Sequence, residues 1–155
     1  MFKLKLLILF LFLLLIVLIS ATAYSLTEFN LFSSPERFSP SDWITEQEIT
    51  VTSDQVIINV LNPTWAKFTD TNSMDPFIDE RSNAIEVKPE FPEQIKIGDV
   101  VSYKTKYGSI IHRVIEINED ENGFYYRVQG DNNTLADPIK VRFENIEGVV
   151  VAVIY

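Results

Sequence analysis

Every residue from Leu6 to Ile19 is apolar, and no charge appears between Lys5 and Glu28. Wound as a helix, the uncharged stretch from Leu6 to Thr27 would be about 33 Å long, enough for the ~30 Å hydrocarbon core of a bilayer. The sequence therefore predicts a single transmembrane helix over residues 1–27. Lys3 and Lys5 precede it and Glu28 is the first charge after it, which puts the N-terminus in the cytoplasm and the rest of the chain outside, in a cell membrane. Ala21-Thr22-Ala23 also fits the small-x-small pattern of a cleaved signal peptide. On either reading the remainder is exported.

What remains of the 155 residues has room for one domain. The chain has no cysteine, which excludes a disulfide framework, a thiolate metal site and a cysteine nucleophile. With one histidine, a zinc hydrolase site of two or three imidazoles is not on offer, and neither a metal nor a cofactor is expected. The net charge is −9, from 13 basic and 22 acidic side chains. Such a surface repels phosphate backbones, and nucleic acid is discounted as a partner.

Residues 28–42 hold Ser33-Ser34-Pro35 and scattered Phe29, Leu31, Phe32 and Phe38, and read as a linker along the membrane surface, with phenylalanines that equally suit covering one edge of the domain. From Trp43 the pattern turns to β. Glu48–Thr52 alternates, Val56–Leu61 is a β-branched run, and Val100–Tyr103, Ser109–Glu116, Phe124–Gln129 and Val149–Ile154 follow at short intervals. Asn122-Gly123 between two such runs marks a hairpin. No long amphipathic helical pattern competes. The expectation is a mainly β, antiparallel domain over residues 43–155.

Three stretches in that domain carry chemistry. Ser73-Met74-Asp75-Pro76 sets a hydroxyl ahead of a proline-fixed turn, where serine more often solvates backbone than attacks a substrate. His112 lies in the strand-like run Ile110–Ile115, on the same face as Ile110 and Val114; alone it reads as a core histidine. Gly130-Asp131-Asn132-Asn133 runs on to Asp137-Pro138, giving two carboxylates at a polar turn. Together the stretches supply a nucleophile, a base and an acid.

Taken in order, Ser73-Met74-x-Pro76, His112-Arg113-Val114 and Gly130-Asp131-Asn132 with Asp137 resemble type I signal peptidase, in its archaeal and endoplasmic-reticulum branch. The resemblance spans roughly residues 60–152. It implies a coiled antiparallel β-sheet domain behind an N-terminal anchor, a membrane-bound serine endopeptidase, and the signal peptides of exported preproteins as substrates. It implies Ser73 as nucleophile, His112 as general base where the bacterial branch has lysine, and Asp137 as the carboxylate that orients it. Asp131 matches the second family aspartate, structural or a further partner of the base. Thr71 matches a hydroxyl that joins the Ser73 backbone N–H at the oxyanion.

Two other readings stand beside it: a noncatalytic anchored β domain that binds exported chains, and a related self-cleaving serine protease. The segment from Met74 to Ile97 is longer than the resemblance leads one to expect and reads as an added loop or hairpin beside the site. Its charged run Asp79–Asn83 reads as solvated surface.

Overall fold

The alternation of large apolar and polar residues in the second half of the chain is realised as sheet. The computed structural model describes residues 2–32 and 36–155, with side chains inside the helix described at 5, 6, 8–22 and 24. The chain divides into two compact units, residues 1–36 and 37–155.

The first unit holds one α-helix, α1 (Phe2–Phe32). It takes in residues 28–32, which the sequence assigns to the linker; no glycine or proline precedes Pro35, so nothing local stops the helix. Every described side chain of α1 is exposed. Among the described residues no helix is long and apolar enough to cross a membrane. The anchor over residues 1–27 therefore rests on the sequence alone. Residues 33–35 and the side chains of Phe29, Leu31 and Phe32, expected along the membrane surface, lie outside the described residues.

The second unit is mainly β and antiparallel. A small sheet pairs β1 (Ile49–Val51) with β2 (Val56–Ile58). The main sheet contains β3 (Thr64–Lys67), β4 (Asn83–Val87), β5 (Val100–Thr105), β6 (Gly108–Asp120), β7 (Gly123–Gln129), β8 (Val141–Arg142) and β9 (Ile146–Ile154), in the order β3-β4-β9-β5-β6-β7-β8. The hairpin expected at Asn122-Gly123 joins β6 to β7, with Asp120 paired to Gly123. The positive φ falls on the glycine, at 91°.

Alternate side chains feed two cores. Val101, Tyr103, Val114, Tyr126, Val128 and Val149 pack together with Ile95, Val141 and Ile146. Their strand neighbours Val100 and Val150 instead join Met74, Ile78 and Ala84. Adjacent residues of one strand point to opposite faces, so a single sheet seals both clusters.

The segment 74–97 departs from expectation. It contributes β4, which pairs with β3 on one side and β9 on the other and so lies inside the sheet. Glu80 and Arg81 of the charged run are exposed, but Ser82 is buried and Asn83 already belongs to the strand. Ahead of β1 the chain is also tied to the domain. Asp99, wholly buried, accepts hydrogen bonds from the Ser41 backbone N–H and hydroxyl at 2.7 Å, from Trp43 Nε1 at 3.0 Å and from the Lys96 backbone N–H at 2.8 Å. Those four donors satisfy a carboxylate that burial would otherwise penalise.

Candidate active site

Strand register delivers the histidine. In β6, His112 stands opposite Val101 of β5 and two residues before Val114, and it is 6 % exposed. Its partner comes from the loop after β7. The Asp137 backbone N–H donates to the Val128 carbonyl at 2.8 Å, which pins that loop against the strand beside β6. The Asp137 carboxylate then meets His112, with Nδ1 to Oδ2 at 2.9 Å. Because a carboxylate only accepts, this contact assigns a hydrogen to Nδ1, so that the lone pair of a neutral ring falls on Nε2.

The same Oδ2 accepts a second bond, from the Tyr103 hydroxyl. Tyr103 is wholly buried on β5, and burial, then the hydrogen bond to Asp137, hold its hydroxyl far above the usual tyrosine range. Tyr103 is therefore a permanent donor that fixes the carboxylate from behind. The sequence reading missed it. Its signal was the alternation with Val101 on the strand next to the histidine, which by itself says only core.

Asp131 goes elsewhere. Its two oxygens accept from Arg113 Nε at 2.7 Å and Nη2 at 2.6 Å, a two-pronged pair with both side chains nearly buried. Arg113 also donates to the Gly98 carbonyl at 2.7 Å, while Arg37 donates to the Asp131 carbonyl at 2.9 Å. Of the two aspartates, one holds the imidazole and the other ties the turn to the sheet. Arg113 is a second residue whose part sequence reasoning did not see.

That turn in its turn holds the serine. The Asn132 backbone N–H donates to the Ser73 carbonyl at 2.9 Å, and Asn132 Nδ2 donates to the Asn72 carbonyl at 2.9 Å. Gly130 is needed for this approach, since a Cβ there would stand 2.5 Å from the Ser73 carbonyl oxygen. Asn72 takes a φ of 55°, a conformation asparagine tolerates better than most residues. Met74, nearly wholly buried, anchors the next position in the apolar cluster. Phe77, by contrast, is exposed.

Ser73 and His112 line one cavity of about 490 Å³, together with Thr71, Met74, Ile78 and Ile111. The Ser73 hydroxyl is 3.1 Å from that of Thr71, and among the described residues no hydrogen bond joins it to His112. Catalytic contacts of this kind often tighten only when substrate is bound. Thr71, expected at the oxyanion, here meets the Ser73 hydroxyl itself. The arrangement thus provides a hydroxyl, an oriented imidazole and a cleft, which is the equipment of acyl transfer by an activated serine. Compared with known proteins, the chain matches no family model and no curated sequence, so this reading stands on its own residues.

Proposed function

We propose that this protein is a membrane-bound serine endopeptidase of the signal peptidase type, which removes signal peptides from exported preproteins. The observation that carries the reading is the Asp137–His112 pair opening onto the cavity that Ser73 also lines. In the mechanism, Ser73 Oγ attacks the scissile carbonyl while His112 Nε2 takes its proton, and the imidazolium formed is stabilised by Asp137 at Nδ1. His112 then returns the proton to the leaving amine, and water repeats the sequence to release the acyl group. The Ser73 backbone N–H, with the Thr71 hydroxyl once it swings from the nucleophile, would stabilise the oxyanion; such a donor is worth roughly 3 kcal/mol.

The substrate binds extended. Supporting this, β3 is an edge strand of the main sheet, its residues Ala66 and Lys67 line the cavity, and the chain runs from it through Thr71 to Ser73. An added strand would place alternate side chains in the cleft. The anchor and topology complete the proposal: a single pass at the N-terminus, with the catalytic domain outside, supported by the uncharged run Leu6–Thr27 and by Lys3 and Lys5.

The full chain, reconstituted in vesicles and incubated with a preprotein, should release a mature product whose new N-terminus follows a small residue at the cleavage site. An intact preprotein would favour the noncatalytic reading, in which the same cleft binds exported chains; the missing Ser73–His112 bond is the one observation on that side.

A further inference from the structure

The proposed mechanism leaves one buried titratable group of the cleft unused. Glu86 lies on β4, is 5 % exposed and lines the same cavity as Ser73 and His112. Its side chain reaches across the intervening strand β9 at Gly148, where a Cβ would stand 2.9 Å from both Glu86 Cβ and Oε2. Glycine in a strand interior weakens it, and here its absence of side chain is what lets the carboxyl pass. On the far side Oε2 accepts from Ser102 Oγ of β5 at 2.9 Å.

The other oxygen, Oε1, is buried with no hydrogen-bond partner. Buried polar atoms are ordinarily paired, so an unpaired one on a residue that lines a cavity leaves room for a ligand's donor. No cation pairs with Glu86 among the described residues. Lys67, which also lines the cavity, holds its ammonium 4.9 Å from the centre of the Trp65 ring. Glu147, exposed, adds a second carboxylate to the lining. Two acidic side chains thus line one cavity, and among the described residues neither forms an ion pair, Lys67 included.

We propose that Glu86 is a specificity-determining residue of this cleft: its free oxygen receives the cationic side chain, lysine or arginine, of an extended polypeptide substrate, with Glu147 adding attraction at the rim. The inference rests on the peptidase reading for the fate of the polypeptide, and on the cavity alone for its recognition.

The test uses the full chain in detergent micelles and peptides spanning a preprotein cleavage site, each carrying lysine or norleucine at one position in turn. Norleucine keeps the aliphatic length and lacks the ammonium. Affinity is measured by fluorescence anisotropy on a Ser73→Ala background, and kcat/KM on the chain with Ser73 intact. At one position lysine should bind about tenfold more tightly than norleucine. That ratio should collapse toward one in Glu86→Gln and fall part of the way in Glu147→Gln. Equal binding of lysine and norleucine at every position, or a lysine preference that survives Glu86→Gln with its circular dichroism unchanged, overturns the assignment. Should Glu86→Gln fail to fold, the unsubstituted comparison together with Glu147→Gln decides it. A lysine preference that depends on Glu86 in a chain that cleaves nothing would sustain the specificity and refute the peptidase.

Discussion

The two aspartates near the histidine do different work, and substitutions separate them. Asp137→Asn can no longer hold Nδ1–H against a carboxylate, and cleavage should fall by about 10⁴ with the fold intact. Asp131→Asn strips Arg113 of its partner in a nearly buried pair, so it should show as lost stability, on the order of 3–5 kcal/mol in chemical denaturation. If cleavage falls further in Asp131→Asn than in Asp137→Asn among folded molecules, the two roles are exchanged. The sequence named both aspartates, because short polar turns with paired carboxylates stand out, but only coordinates say which one the imidazole meets. Glu86 gives no such signal in the sequence, since a lone glutamate reads as solvated surface. Burial holds its carboxyl above the usual range, with Glu147 adding to the shift and the Ser102 hydrogen bond opposing it. The folded state then binds that proton more tightly than the unfolded chain does. The stability it contributes is complete below the ordinary value of 4.5 and is lost as pH rises through the raised one. Thermal unfolding should therefore show Glu86→Gln gaining on the unsubstituted chain as pH rises above 4.5. A constant gap would mean that Glu86 titrates normally.

At the scale of elements, β5, β6, β7 and β9 from Val149 were legible as β-branched or alternating runs, with Gly108 and Gly123 at two of the turns. The two-residue β8 was not, and neither were β3 and β4. Thr64–Lys67 is four residues between Pro63 and a polar loop, and β4 opens on Asn83 directly after a charged run, so neither shows a clean period of two. Both become strands through pairing: β4 is held between β3 and β9, and tertiary contact overrides weak local preference. The consequence for the site is that the serine turn hangs between β3 and β4 and is positioned by the Gly130–Asn133 turn. Gly130→Ala must push the Ser73 carbonyl away and weaken the Asn132 bond to it. We expect cleavage to fall by about 10²-fold while far-UV circular dichroism is retained, as displacement of a reacting group by ~1 Å costs about that much. Full activity in Gly130→Ala would show that this turn does not set the nucleophile.

At the scale of the whole molecule, the chain joins a helical unit to a β unit, and the proposed topology makes the first an anchor. Protease added outside sealed vesicles of native orientation should digest the β unit and leave a tag ahead of Lys3 protected. A tag that is digested as well would reverse or remove the anchor. The central claim is that Ser73 and His112 act as one unit in hydrolysing a polypeptide. The most direct measurement is the rate of preprotein cleavage by the reconstituted full chain, compared with Ser73→Ala and His112→Ala. The account predicts that either substitution alone lowers the rate by about 10⁶, as in comparable triads, with the fold unchanged. Cleavage within tenfold of the unsubstituted chain in either variant would contradict it.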